Sequence, residues 1–401
     1  MRRIHKKVII ILFATISSLN AGIFELYGTG RYGTDYSASA FGRGGISTAY
    51  TDTLSGSTNP AQLAHIQFAE LEAGLNSRFS YISDFGYNES SIRFDYANLM
   101  IPVGRKGGLQ LGIHPISSAQ AEYQIKTSYI TEVIETIGDI YSLSLGFGYQ
   151  IAPRLYGGIA FELITGSYTL SNEIRFSNDA YFSSEKYFSK GIDGRRITLG
   201  TVVDLKNLTV GVRYAHPYRM KYKTLEYNSY SEYVYNEPTD TTLTHHIIIP
   251  QELAAGIALK IGRRHYLMSD YTLRYLQNAS SLISFNPVNP DYSSSSSHHL
   301  AAGYERRGAV GLFVPFFQSL TYRTGVFYDK QGLGTEYQRY GISAGLGIPF
   351  NNFKSRIDVG LHYGLNSGDI FDNIEMNESF FQIKISVNSI ERWFNTRGKY
   401  R

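Results

Sequence analysis

The chain contains no cysteine, which leaves no residue for a disulfide framework or for a lipid-modified N-terminus. Beyond residue 21 no stretch reaches the roughly 18 consecutive apolar residues of a spanning helix. Long stripes of 3.6-residue period are missing as well, so neither a helical membrane protein nor a helical bundle fits. The one Gly-x-Ser-x-Gly run, Gly341-Ile342-Ser343-Ala344-Gly345, lies inside the strand-like segment 338–348 and not at a strand-to-helix elbow, and there is no phosphate-binding loop or zinc motif, so no catalytic residue is nominated and no enzymatic activity or cofactor is expected. Excess charge is also absent. The 38 Lys+Arg against 34 Asp+Glu include Arg2, Arg3, Lys6 and Lys7, and without these four the balance is 34 against 34. The pI of 8.8 is therefore not the footprint of a nucleic-acid partner, and none is expected.

Those four basic residues belong to an N-terminal address. They precede a short apolar core, Val8 to Ala14, and a small, polar stretch from Ser17 to Ala21. This is the pattern of a cleavable secretory signal, with the cut placed after Ala21, and its apolar run is too short to span a bilayer.

What the chain does have is Tyr, Phe and Gly, with 33, 23 and 39 residues, in strict alternation over many segments. Tyr141, Leu143, Leu145, Phe147, Tyr149 and Ile151 alternate with Ser142, Ser144, Gly146, Gly148 and Gln150. Ile197 to Leu205 and Phe381 to Val387 repeat the pattern. Period two is the strand signal. About fourteen such segments lie between residues 68 and 391, starting with 68–81, 88–103, 107–125 and 138–152, continuing through 191–205 among others, and ending with 317–328, 338–348, 355–365 and 378–391.

Connections sort by length. Tight turns stand at Arg105–Gly107, Ala152–Pro153, Lys206–Asn207 and Arg263–Arg264, whereas Tyr222–His246 and Gln277–Ser297 are long and polar. Short turns at one end and long loops at the other are the pattern of an outer-membrane barrel, with apolar faces toward lipid and small polar faces toward the lumen. The expected fold is all-β: a transmembrane antiparallel β-barrel of about 14 strands. One connection, Gly308–Phe316, is longer than a periplasmic turn should be.

The segment ahead of the first strand is not strand-like. It runs Ser39-Ala40-Phe41-Gly42-Arg43-Gly44-Gly45-Ile46-Ser47-Thr48-Ala49-Tyr50, then Thr51-Asp52-Thr53 and Thr58-Asn59-Pro60-Ala61-Gln62-Leu63-Ala64. A Gly/Ala-rich stretch, an acidic residue and Asn-Pro-Ala-x-Leu resemble the N-terminal hatch of FadL-type outer-membrane transporters of long-chain fatty acids and other hydrophobic compounds. Ile249-Pro250-Gln251-Glu252-Leu253, continuing to Ser269-Asp270-Tyr271, is similar to that family's Leu-Pro strand pair. Ile101-Pro102-Val103-Gly104 followed by Gly108-Leu109-Gln110-Leu111-Gly112 resembles its second hairpin, and Glu391-Arg392-Trp393-Phe394 is like the C-terminus of divergent members.

The resemblance implies a signal peptide (1–21), a hatch (22–66), a barrel (67–394) and a basic tail (395–401). Gly44, Gly45, Asn59, Pro60 and Ala61 would belong to the hatch that blocks the lumen. It also implies a hydrophobic small-molecule ligand that leaves sideways into outer-membrane lipid through a break in the third strand. The residues meet that expectation at His114-Pro115-Ile116, because a proline within a strand flanked on both sides removes a ladder hydrogen bond. The bland alternative is that Pro115 marks a strand end near an interface.

Two other functions remain open. The barrel could be a non-transporting partner or anchor for periplasmic or secreted proteins, as the Tyr- and Ser-rich loops and the tail would suit. It could also be a general porin, although the small uncharged inward faces Ser142, Ser144, Gly146 and Gly148 speak against an ion-selective constriction. The pairs His245-His246 and His298-His299 make poor chelates, since neighbouring side chains of a strand point to opposite faces, and no metal site is nominated. Most aromatics are expected in interfacial girdles.

Overall fold

A computed structural model of the protein describes residues 31–32, 37–50, 58–82, 87–178, 181, 183–229, 243–249, 251–275, 296–311, 313–333, 335–351, 353–371 and 374–391. The expected signal peptide, basic tail and Trp393-Phe394 lie outside the described residues.

Seventeen strands form one antiparallel sheet that closes on itself. The first, β1 (Arg31–Tyr32), belongs to the hatch. The wall begins with β2 (Ala69–Ile82), β3 (Tyr87–Val103), β4 (Gly107–Lys126), β5 (Ile130–Ala152), β6 (Leu155–Phe176) and β7 (Ser184–Leu205). Next come β8 (Leu208–Ala215) with β9 (Tyr218–Ser229), and β10 (Leu243–Ile249) with β11 (Gln251–Ile261); each pair occupies one position in the wall. It is completed by β12 (His265–Tyr275), β13 (Ser297–Arg306), β14 (Thr321–Leu333), β15 (Thr335–Phe350), β16 (Ser355–Phe371) and β17 (Ile374–Glu391). Ladder pairs from Glu378↔Ile82 to Glu391↔Ala69 join last strand to first, giving a closed barrel of 14 strands.

Closure follows from the alternation. On β5, Leu143, Leu145, Phe147, Tyr149 and Ile151 are exposed on the outside, while Ser142 and Ser144 are buried within. With an apolar exterior and its strands paired around the ring, except for part of the β3–β4 seam, the barrel is suited to hydrocarbon.

Tight turns at one end use left-handed residues, with φ of 63° at Gly104, 73° at Arg154, 51° at Lys206 and 65° at Gly262. Two-residue hairpins need such conformations because these match the twist of the flanking strands.

Several strands extend past their expected ends at the other rim. β5 begins at Ile130 rather than 138, β7 at Ser184 rather than 191, and β16 runs to Phe371 rather than 365. These extensions carry residues such as Glu132, Glu135 and Lys186, since both faces of the ladder meet water above the bilayer and alternation lapses. β14 starts at Thr321 rather than 317, because Phe316–Ser319 forms a single helical turn instead.

The lumen corrects one sequence expectation. Ser142, Ser144, Gly146 and Gly148 do face inward, but Gly146 and Gly148 are small to receive the hatch, Ser142 and Ser144 bond Glu162 and His114 of the wall, and much of the inner wall elsewhere is charged. Because Ser144 lies 2.7 Å from His114 Nε2, it is no tolerant site for a long side chain. The exterior test is therefore one of depth. Leu145→Arg, mid-strand, should destabilise the folded barrel in vesicles by about 2–4 kcal/mol, and Ile151→Arg, beside the turn, by about 0–1 kcal/mol. Equal costs in urea-titrated refolding would contradict the outward assignment.

Candidate functional site: a seated hatch and a split wall

The hatch lies across the lumen near the tight-turn end. Its first element, α1 (Ala38–Phe41), is one helical turn capped by Ser37, whose Oγ accepts the Ala40 N–H at 3.0 Å. The chain then reverses at Gly44 and Gly45, with φ of +83° and +89°, a region that L side chains avoid. Arg43, buried beside them, reaches Glu305 of β13 at 3.0 Å, and Tyr50 donates to the other oxygen of that carboxylate at 2.5 Å. The backbone N–H groups of Ser47 and Thr48 both donate to Asp270 of β12, at 2.8 and 2.7 Å.

The second element is a 3-10 helix, Pro60–His65. Asn59 caps it, its Oδ1 accepting the Ala61 N–H at 3.1 Å, while Nδ2 donates to the Thr48 carbonyl at 2.9 Å and to the wall at Thr201 and Val212, both at 3.3 Å. Pro60 fills the first helical position, where no N–H is needed. Ala61 and Leu63 are fully buried. Each residue of the Asn-Pro-Ala-x-Leu run thus has a mechanical role.

The wall is shaped to match. A Cβ placed on Gly158 would collide with Pro60, on Gly200 with Asn59, on Gly211 with Thr48 and on Gly345 with Gly42. Gly148 and Gly108 likewise meet the 3-10 helix. Glycines of β4–β8 and of β15 thus form a seat into which the hatch backbone presses. With the 3-10 helix against β4–β7 and α1 against β15–β17, the hatch spans the barrel from wall to wall.

The inner wall has two characters. Over β11–β17 and the adjoining β2 and β8 it is charged and paired: Arg323 bridges Glu305 at 2.8 Å and Asp358 at 2.7 Å, Arg78 meets Glu378 at 2.8 Å, and Glu252 is held between Arg213 and Arg274. His362 is sandwiched between Phe41 and Phe327, with ring centroids 3.4 and 4.4 Å away. Over β4–β7, beyond the buried Glu162–Arg196 pair (2.6 Å) toward the long-loop end, the wall is mainly apolar. Ala119, Ala121, Ile140, Ile164, Tyr168, Leu170 and Ile192 are all buried there.

Beside this apolar wall the ladder divides. β3 pairs with β4 only from Val103↔Gly107 to Ala97↔Ile113. Beyond that, β3 continues on β2 as far as Tyr87, and β4 continues on β5 as far as Lys126. Both separating strands carry a bulge at the fork. Asp95 is the extra residue of β3, between Gly74↔Tyr96 and Leu75↔Phe94; Ile116 is that of β4, between Pro115↔Tyr141 and Ser117↔Ile140. Bulges re-aim a strand and end its pairing. The freed edge of β4 is partly satisfied by the hatch strand, with Arg31↔Ser118 and Tyr32↔Ser117.

Two contacts from β5 span the division: Tyr141 Oη donates to the Phe94 carbonyl at 3.4 Å, and Arg93 lies 4.0 Å from Asp139. Long and partly exposed, an ion pair of this kind contributes about 0–1 kcal/mol.

The sequence-nominated residues therefore fall into two groups. Gly44, Gly45, Asn59, Pro60 and Ala61 sit in the hatch. His114, Pro115 and Ile116 lie at the fork, buried, with Ile116 rather than Pro115 as the bulged residue; Pro115 stands where β3 has already departed, so its missing N–H is tolerated. The sequence reading missed Asp95, Arg93, Asp139, Tyr141 and the apolar inner wall. Of the carboxylates that anchor the hatch it quoted Asp270 for its likeness alone, and it missed Glu305. His299 faces the lumen and bonds Asp329, whereas His298 faces outward to Tyr271. The side chains of His245 and His246 lie outside the described residues. Among the described residues no group of three or more His, Cys, Asp or Glu could hold a metal ion.

A barrel of 14 antiparallel strands, closed and plugged by its own N-terminal hatch, is the architecture of the FadL type. The profile of the BamG family matches residues 3–400, and the chain belongs to that family. Among solved structures it is similar to the CymD monoaromatic hydrocarbon channel, with a TM-score of 0.62, 15% identity, and coverage of 90% of this chain and 98% of that one. It is also similar to the toluene transporter TbuX of Ralstonia pickettii, with a TM-score of 0.60, 12% identity, and coverage of 89% and 98%. A FadL homologue from Pseudomonas aeruginosa gives a TM-score of 0.58 at 12% identity, covering 93% and 99%. No curated protein matches the chain by sequence.

The glycine seat has a direct test. Gly158→Val puts a branched side chain where Pro60 lies. The barrel should still fold, as shown by its shifted mobility on unheated gels, while the displaced hatch raises its ion conductance in planar bilayers. A folded variant with unchanged conductance would mean that the hatch does not depend on this seat.

Proposed function

We propose that the protein is an outer-membrane channel for passive uptake of hydrophobic small molecules, with exit into the bilayer through the fork between β3 and β4. The observation that carries this reading is the fork itself, set beside an apolar inner wall and above a hatch that fills the lumen. On the β4–β7 side a ligand entering from the long-loop end meets Ile140, Ile164, Tyr168 and Ile192 above the Glu162–Arg196 pair. Straight passage is opposed by the hatch, and among the described residues the sideways path is spanned by Tyr141 on Phe94, by Arg93 near Asp139 and by the two-residue hatch strand on the edge of β4. The two side-chain contacts are weak and the strand pairing is two residues long, so a diffusing ligand can displace them and the process needs no energy source or cofactor. The similarly folded toluene transporter and monoaromatic hydrocarbon channel favour an apolar ligand; a long-chain fatty acid is a second candidate class, drawn from the resemblance of the hatch.

A different reading is that of a non-transporting barrel serving a periplasmic or secreted protein. It is favoured by how firmly the hatch is tied, through Asn59, Asp270 and the Arg43–Glu305 pair. A general porin is disfavoured by a lumen filled with hatch and ion pairs.

Uptake of labelled toluene, long-chain fatty acid and a small sugar into liposomes carrying the refolded protein separates these. The channel reading predicts flux of a hydrophobic compound without sugar flux, slowed when Ile116 is deleted so that β4 regains regular pairing with β5. Sugar flux would favour the porin. No flux of any compound would overturn transport and leave the partner reading.

A further inference from the structure

The connection between β13 and β14, residues 307–320, is the one periplasmic link too long for a turn, and its surface is apolar. Val310 is 78% exposed, Phe313 98%, Phe316 59% and Phe317 73%. The segment is nonetheless built. Ala309 N–H donates to the Gln318 carbonyl at 2.8 Å, Gly308 N–H to Thr321 Oγ1 at 3.2 Å, and the N–H groups of Gln318 and Ser319 to Pro315 at 2.9 and 3.1 Å. These bonds close it into a hairpin that carries a helical turn, α2 (Phe316–Ser319), on its return arm.

Its attachment shows which way it faces. Tyr322 alternates with the buried, inward Thr321 and Arg323, so it projects from the outside of the barrel, and its Oη donates to the Phe317 carbonyl at 3.0 Å. Arg306, outward on β13, stacks over the Tyr322 ring at 5.6 Å. The neighbouring turn adds Arg263 and Arg264, the latter accepting the Arg307 N–H at 2.8 Å. The apolar side chains are therefore continuous with the lipid-facing exterior and bordered by arginines.

We propose that this segment is an interfacial anchor that lies in the periplasmic leaflet of the membrane. Val310, Phe313, Phe316 and Phe317 enter the acyl boundary, and Arg263, Arg264 and Arg306 meet lipid phosphates. Aromatic and aliphatic side chains beside basic ones are what hold a segment in the plane of an interface, and arginine stems can lie along apolar surface while the heads stay among headgroups. The anchor fixes the β13–β14 side of the barrel in the bilayer, and it holds whether or not the barrel transports anything.

The absence of cysteine makes the test clean. A nitroxide is attached at Phe313→Cys, at Phe317→Cys and, as a water-facing reference, at Lys206→Cys in a tight turn, each refolded in phospholipid bilayers. Labels at 313 and 317 should be open to oxygen and shielded from a water-soluble nickel chelate, the reverse of position 206. Nickel access at both loop positions equal to that at 206 would overturn the anchor. The apolar loop would then stand in the periplasm, as a surface for a protein partner.

Discussion

In hydrocarbon an unpaired backbone N–H or C=O costs several kcal/mol, and a closed ladder is the way a sheet avoids that cost. This constraint governs the molecule. It holds around the ring except where β3 and β4 part after Ala97↔Ile113. The fork is compensated locally: two bulges turn the strands apart, the hatch strand at Arg31–Tyr32 pairs with the freed edge of β4, and Tyr141 donates to the Phe94 carbonyl. A break so compensated is stable without being sealed, which is what a sideways exit needs.

The hatch depends on the same economy of backbone groups. Its short helical pieces leave many N–H groups without internal partners. Asp270 takes two of them, Asn59 takes one and spends its own amide on the wall, and glycines let the backbone approach closely enough for these bonds to form. Arg43 and Tyr50 on Glu305 fix the other side. Removing Glu305 would leave the buried Arg43 without its carboxylate, at about 3–5 kcal/mol, so plug and wall are mechanically one unit. Between them they divide the lumen into a charged side and an apolar side, and the fork opens beside the apolar one.

Much of this was legible in the chain. Alternation on β5 and β17 gave the faces, turn and loop lengths gave the ends, and Asn59-Pro60-Ala61 marked the hatch. Pro115 marked the fork to within one residue. The inner wall was not legible, since Ile140 and Ile164 share strands with the outward apolar set and period two cannot separate two apolar faces. Nor were the charges: Glu305, Arg323 and Asp358 lie far apart in sequence, and their pairing depends on register across β13–β16. Gly146 and Gly148 of β5 read only as a small uncharged face, because their purpose lies in a hatch that packs on them from far upstream in the chain. The Gly308–Phe316 connection resisted a turn assignment for a physical reason: its apolar side chains face outward from the barrel rim, not into a loop of ordinary polarity.

The central claim is that a hydrophobic molecule leaves the lumen at the β3–β4 fork. A photoreactive long-chain ligand, irradiated in the presence of the bilayer-embedded protein and located by peptide mass spectrometry, tests it most directly. The account predicts adducts on Phe94, Ile116 and Tyr141, together with the apolar inner wall at Ile140 and Tyr168. Adducts confined to the periplasmic mouth, around His65, Arg154 and Lys260, would contradict it and place the path through the hatch.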